Sequence, residues 1–401
     1  MSEQNQSGLL ELLDQLEKRG ASDAEKIASV RTYLGYRARE KGIPIRGTFE
    51  LTPLCNFNCK MCYVHLTKEK VQLTGRTILS AAQWIHIMEQ AIAEGMIGAT
   101  LTGGEALLHP EFDDIYLYLQ EKGVEVSVKS NGILLTEDRI RFFLQYPPKK
   151  IQITLYGSND DVYEKVTGSR CFEKVFDAIC RVKKCKIPMS ISITPNKYMK
   201  DDVLNVIRLL EKMEIEVGIN SHLMEPRCET GNCVEDIDLS TDEYIELYKQ
   251  RAMLKHLKIR PIPETDVPIP PLHEVPIVGL PCGGGKSSFA VKWNGIMSSC
   301  LMFEGVGVDL SIHTFRNAWV SVHEKVEKLL FPGECLKCEM RLVCPACVLQ
   351  HDQSGNAVHA NQSICRRARR LFAEGLVTYN KDEMEEMKNE EAVCCSGCDE
   401  G

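Results

Sequence analysis

Short apolar runs of strand length alternate with longer amphipathic segments along the middle of this chain. The strand candidates are 47–52, 98–102, 124–129, 150–155, 188–194 and 215–221. Between them the apolar positions recur at helical spacing. Residues 80–94 carry a stripe of Trp84, Met88, Ala91 and Ile92, with Ser80 placed to cap the start and Gly95 following the end. Residues 201–213 repeat the pattern with Val203, Ile207, Leu210 and Met213. Upstream, 1–45 reads as two short helices, Leu9–Lys18 and Asp23–Glu40. Six strand–helix alternations predict an α/β fold in which a parallel sheet, wound right-handedly, curls into a partial (β/α)6 barrel of the TIM type. In such a sheet the functional groups gather at the C-terminal ends of the strands.

The alternation stops after Met224. Residues 226–280 read as a bridging region with one helix, Thr241–Leu254, and a proline-rich stretch that favours extended chain. Residues 281–370 form a small cysteine-rich domain, and 371–401 a C-terminal helix and acidic tail ending in CCSGCDEG. The expected domains are therefore 1–45, 46–225, 226–280, 281–370 and 371–401. A formal charge of −8 argues against nucleic acid or an anionic membrane as the main partner. Arg366, Arg367, Arg369 and Arg370 read as a solvated helix face. The polar N-terminus lacks a secretion signal, and no apolar run approaches the ~18 residues of a membrane span. The expected location is cytoplasmic. In a reducing compartment clustered cysteines point to metal or redox chemistry, so the 18 cysteines become the main clue. Cys171, Cys180 and Cys185 have no ligand spacing and read as buried small apolar side chains.

The first cluster, Cys55-Asn-Phe-Asn-Cys59-Lys-Met-Cys62, follows the first strand and puts three thiols on one short loop. Three thiolates can hold an iron–sulfur cubane with one iron left open; a zinc knuckle completed by His65 is the competing reading. Thr102-Gly103-Gly104-Glu105 ends the second strand, where two glycines permit close backbone approach to a ligand and a carboxylate is available for an ammonium group. Ser130-Asn131-Gly132 ends the third strand as a turn. The C-x3-C-x2-C spacing, the GGE and the NG turn resemble the radical S-adenosylmethionine superfamily. That resemblance implies a [4Fe–4S] cluster on Cys55, Cys59 and Cys62. It also implies S-adenosylmethionine held by Gly103, Gly104, Glu105, Ser130, Asn131, Thr154 and Arg170, the last two gripping the cofactor's carboxylate. Met61 stands where the family usually has an aromatic residue, Ala106 where proline is common, and Tyr156 where related members have aspartate.

A second set runs Cys282, Cys300, Cys335, Cys338, Cys344, Cys347 and Cys365. Read by spacing alone, the central C-x2-C…C-x2-C also suits a zinc ribbon, which leaves Cys282, Cys300 and Cys365 unexplained. In this order, with SSFAVKWNG before Cys300 and Phe315 and Trp319 in the intervening helix, the set resembles the SPASM extension of the same superfamily, which carries two auxiliary [4Fe–4S] clusters. By position, Cys335, Cys338, Cys344 and Cys365 would ligate one cluster, and Cys282, Cys300 and Cys347 the other. Cys228 and Cys233 are distant donors for the incomplete site, while Cys394, Cys395 and Cys398 lie on the polar tail.

The resemblance implies reductive cleavage of S-adenosylmethionine and hydrogen abstraction from substrate. The preferred substrate is a ribosomally made peptide or protein, to be cross-linked, given a thioether bond, epimerised or oxidised. The alternatives are tetrapyrrole side-chain processing and, from another class, a non-enzymatic iron–sulfur or zinc protein. The expected cofactors are three [4Fe–4S] clusters and S-adenosylmethionine. The expected partners are a low-potential donor such as flavodoxin or ferredoxin and a separate leader-binding protein. No residue stands out as a catalytic acid or base.

Overall fold

The structure is a computed structural model that describes residues 13–220, 223–227, 234, 236–253, 282–303, 305, 307–336, 338, 340, 344, 347–352 and 358–376. Its strands are β1 (Arg46–Glu50), β2 (Gly98–Thr102), β3 (Glu125–Ser130), β4 (Lys150–Thr154), β5 (Met189–Ile193), β6 (Val217–Ile219), β7 (Ser288–Val291), β8 (Ile296–Ser298) and β9 (Val308–Asp309). They form one sheet in the order β6-β5-β4-β3-β2-β1-β7-β8-β9. The β6-to-β7 portion is parallel throughout, and β8 and β9 are added antiparallel. The six predicted barrel strands are thus present. The last is shorter than expected because it is an edge strand, paired only to β5.

Strand alternation sorts the side chains. Phe49, Leu101, Val126, Val128, Ile151 and Ile153 are buried in the main apolar core. The intervening register places Thr48 beside Thr100, Thr100 beside Ser127, and Lys129 beside Gln152, so the other face is polar. The helix over Ala81–Ala93 forms as the apolar stripe predicts. Ser80 accepts from the Gln83 N–H and Gln83 returns to the Ser80 N–H, a complete capping box. Trp84, Met88 and Ala91 are fully buried. The helices Asp23–Glu40 and Val203–Glu211 match their sequence patterns, and the helix from Thr241 is described to Met253.

The cysteine-rich segment is not detached from the barrel. Its first strand, β7, pairs in parallel with β1, Arg46 opposite Ser288 and Phe49 opposite Val291. Phe289 meets Phe49 edge-on at 5.7 Å and Phe315 at 4.9 Å. Gly47 makes room for this joint, since a Cβ there would stand 2.7 Å from the Phe289 ring. On the helix Phe315–Glu327, Trp319 donates its indole N–H to the Gly42 carbonyl at 2.7 Å, locking that helix to the start of the barrel.

Two expectations about isolated residues are corrected. Cys180 is exposed on a helix, and Cys171 and Cys185 sit half-buried at the ends of that helix. Arg367 is not solvated: it is buried, donates to Asp238 at 2.9 Å and stacks on Tyr244 at 4.9 Å. Its neighbour Arg370 follows the surface reading, paired with Asp242 and Glu374. Among the described residues no helix is long and apolar enough to cross a membrane.

Candidate active site

The loop after β1 is held on both sides before any ligand is considered. The Leu51 N–H donates to Thr102, the Gly104 N–H to Thr52 and the Glu105 N–H to Leu54, all at 2.8–2.9 Å, which zips the loop to the end of β2. On its far side Asn58 and Lys60 donate to Thr167 and Val166 at the end of the helix Asp160–Thr167. Cys55, Cys59 and Cys62 emerge from this frame and line a cavity of about 550 Å³, within the range of small-molecule sites. The Cys59 carbonyl accepts from the Cys62 N–H at 3.0 Å, folding the turn between them.

All three thiols are pushed up from the ordinary range, chiefly by burial and further by neighbouring acidic groups: Cys55 to about 12, Cys59 and Cys62 in the same direction. A thiolate there is costly unless a cation compensates it, and bound metal does so by deprotonating coordinating thiols outright. Backbone N–H groups already aim at two of the sulfurs, Phe57 to Cys55 at 3.4 Å and His65 to Cys62 at 3.3 Å. Among the described residues no three His, Cys, Asp or Glu side chains converge tightly enough for a single ion. The thiols border a volume, and the donor set suits a cluster with several irons. His65 is not in the cavity wall.

Gly103, Gly104, Ser130, Asn131 and Thr154 line the same cavity, at the ends of β2, β3 and β4. The glycines have a different reason from the one expected. A Cβ on Gly103 would stand 2.4 Å from the Thr52 carbonyl oxygen, and one on Gly104 the same distance from that of Leu54. They permit close approach to the cysteine loop itself. Glu105 lies behind the wall, 1% exposed. Its carboxylate accepts from the Asn131 N–H at 2.7 Å and the Leu107 N–H at 3.1 Å, and from Ser130. Burial nevertheless pushes its carboxyl up to about 7. In this arrangement it braces the Asn131 turn instead of facing an ammonium group. Asn131 in turn reaches the cysteine loop, donating to Asn56 at 2.6 Å and lying 3.6 Å from the Cys55 sulfur. Gly132 completes the turn at φ +91°, a conformation open to glycine.

Arg170 is elsewhere. It is half exposed and paired to Asp161 at 2.7 Å and Glu164 at 2.9 Å, outside the cavity. The carboxylate-holding role expected of it is not supported, because two nearby acids on one helix capture it at the surface. Residues that sequence reasoning passed over complete the wall: Gln152, Ser192, Thr194 and Asn220. Ser192 and Thr194 could have been found by the two-residue strand alternation that continues from Thr154 one strand away. Tyr156 also lines the cavity, hydrogen-bonded to Cys59 and packed edge-on against Phe57 and Tyr163. Beneath Tyr63, Glu50 and Arg227 form a buried bidentate pair at 3.0 and 2.8 Å.

The second cysteine set divides in two. Cys282 and Cys300 raise the Cys347 thiol, which burial has already pushed up to about 12. Cys365, Cys338 and Cys344 act likewise on Cys335, at about 11 after burial. Mutual charge of this kind requires proximity. By this measure the thiols fall into two neighbouring groups, Cys282 and Cys300 with Cys347, and Cys338, Cys344 and Cys365 with Cys335. Met302 and Gln350, beside members of the first set, reach the cavity wall below the cysteine loop. Cys228, Cys233, Cys394, Cys395 and Cys398 lie outside the described residues.

Residues 49–221 match the sequence model of the Radical SAM superfamily. Sporulation killing factor maturation protein SkfB of Bacillus subtilis is 28% identical over 166 residues, 41% of this chain and 39% of that protein. Antilisterial bacteriocin subtilosin biosynthesis protein AlbA of the same organism is 27% identical over 161 residues, 40% of this chain and 35% of that protein. The chain thus matches well under half the length of these two relatives. The AdoMet-dependent heme synthase of Methanosarcina barkeri is 23% identical over 325 residues, 75% of this chain and 89% of that protein. In fold, the chain resembles Streptococcus suis SuiB bound to S-adenosylmethionine (TM-score 0.59, 13% identity, 82% of this chain and 80% of that one). It also resembles anSMEcpe with bound AdoMet (TM-score 0.61, 15% identity, 82% and 98%).

Proposed function

We propose that this chain, whose residues 49–221 are a radical SAM domain, is an enzyme that cleaves S-adenosylmethionine and modifies a ribosomally made peptide. The observation that carries the reading is the convergence of Cys55, Cys59 and Cys62 with the ends of β2, β3 and β4 on one cavity. Cys55, Cys59 and Cys62 hold the catalytic [4Fe–4S] cluster. When bound, the cluster and S-adenosylmethionine would supply a 5′-deoxyadenosyl radical, formed with release of methionine at the cost of one electron from an external donor, that takes a hydrogen atom from substrate. The chain contributes position. Gly103 and Gly104 let the cysteine loop dock against β2, Glu105 fixes the Asn131 turn, and Ser130, Asn131 and Thr154 form the cofactor's wall. Tyr156 and Phe57 close one side against water.

The peptide substrate is supported by SkfB and AlbA, whose names describe peptide maturation and bacteriocin biosynthesis, and by SuiB bound to a precursor peptide. The longer match to a heme synthase keeps tetrapyrrole processing as the second reading. Cys282/Cys300/Cys347 and Cys335/Cys338/Cys344/Cys365 hold two auxiliary clusters, fed by a low-potential donor such as flavodoxin or ferredoxin. A separate protein delivers the leader. The test is anaerobic reconstitution: about twelve iron per chain, with 5′-deoxyadenosine formed on reduction. Replacing Cys55, Cys59 and Cys62 by Ala removes about four iron and abolishes cleavage; cleavage that persists overturns the assignment. Mass spectrometry then distinguishes a modified peptide from a modified porphyrin.

A further inference from the structure

His351 joins elements around the second thiol set through its ring, touching Cys335 and Asn361. It ends the short helix Val348–His351, which begins directly after Cys347. Its Nε2 lies 3.7 Å from the Cys335 sulfur. Its Nδ1 lies 3.0 Å from the backbone N–H of Asn361. A backbone N–H can only donate, so Nδ1 is the acceptor and the ring proton sits on Nε2. The N–H therefore points at sulfur.

The surroundings leave the ring little freedom. Asn361 is held by its own bonds: its side chain accepts from the Ser363 and Ile364 N–H groups as the cap of helix Gln362–Ala373, and donates to the Gln350 carbonyl at 3.3 Å. On the other side the imidazole meets Phe331 edge-on at 6.4 Å. Cys335 is brought to this point by Glu334, which accepts from the Ala360 N–H at 3.0 Å and from His359 at 3.1 Å.

We propose that His351 sets the reduction potential of the cluster held by Cys335, Cys338, Cys344 and Cys365, by donating its Nε2–H to the Cys335 sulfur. The inference rests on the reading that these four thiols hold an iron–sulfur cluster. Reduction adds one electron to the cluster and breaks no bond. The added negative charge spreads over the sulfurs, and a donor aimed at one of them stabilises the reduced form more than the oxidised form. The hydrogen bond raises the potential of this cluster relative to its neighbour on Cys282, Cys300 and Cys347. His351 is a positioning residue that acts through Cys335.

The test uses the full chain with Cys55, Cys59 and Cys62 replaced by Ala, which leaves the two auxiliary clusters. Potentiometric titration followed by electron paramagnetic resonance reads two midpoint potentials. His351→Phe keeps the ring packing and removes the donor, and it should shift one potential to a more negative value while the other stays put. His351→Gln keeps a side-chain N–H and should shift it less. Unchanged potentials with about eight iron per chain retained overturn the proposal. If His351→Phe loses a cluster, His351→Leu, which also lacks a donor, decides: a negative shift supports the proposal, and an unchanged potential or a second loss overturns it. A parent protein without auxiliary iron would instead sink the cluster reading itself, whatever His351 does.

Discussion

Cys55, Cys59 and Cys62 occupy a single short loop pinned to β2 on one side and to the helix Asp160–Thr167 on the other. The seven thiols from Cys282 to Cys365 are carried on short turns and helix ends, among them Gly333–Leu336 and Val348–His351. In the barrel, five backbone hydrogen bonds from Leu51, Asn58, Lys60, Gly104 and Glu105 tie the ligand loop to regular elements. In the cysteine-rich segment, side chains such as Glu334 and Asn361 bridge one turn to the next, and Gln350 closes the turn that begins at Cys347. The lesson is that the first thiols are placed by backbone bonds to the sheet, whereas the second are placed on turns joined by side-chain bonds, so the second should depend more on bound metal for its order.

Metal removal gives the largest expected contrast. Chelation and acidification should leave the barrel protected, while cleavage by a nonspecific protease appears within residues 330–376. A segment that resists proteolysis equally with and without iron would erase the distinction. Gly104→Ala comes next, because the added Cβ meets the Leu54 backbone oxygen at 2.4 Å and backbone cannot swing aside. The expected result is loss of the first cluster, seen as about four fewer iron per chain, with a destabilisation of about 3 kcal/mol in denaturant titration. Retention of the full iron content would show that the zipped loop is not what places the thiols.

A comparable loss of stability, without loss of the first cluster, is expected at the contact between the bridging region and β1. Arg227→Leu leaves the Glu50 carboxylate, 0% exposed, without its bidentate partner, at a cost of about 3–5 kcal/mol. The double variant Glu50→Leu/Arg227→Leu should recover most of that loss, and thermal melts of the set measure it. The smallest effect is expected for Arg170→Ala. Its ion pairs are at the surface, so the dissociation constant for S-adenosylmethionine, measured by calorimetry, should stay within about twofold. A tenfold weakening would restore the cofactor-binding role.

Local signals were legible in the amino-acid order because they depend on neighbours in the chain. Ser80 and Gln83 formed the capping box, the 3.6-residue spacing of Trp84, Met88 and Ala91 made a buried face, and Asn131-Gly132 made a turn at positive φ. The C-x3-C-x2-C spacing placed three thiols on one loop for the same reason. What only the tertiary structure decided involved partners far apart along the chain. Glu105 turned from a ligand candidate into a brace because the Asn131 N–H, on the next strand, reached its carboxylate. Arg170 left the site because the helix Asp160–Thr167 presented Asp161 and Glu164 to it. Arg367 became buried because Asp238 and Tyr244 closed over it from another element, and β7 joined the barrel because Gly47 left room for Phe289. Periodicity and spacing encode which elements form and which residues share a face; the partner of a charge or an aromatic ring across the fold is set by the packing of whole elements.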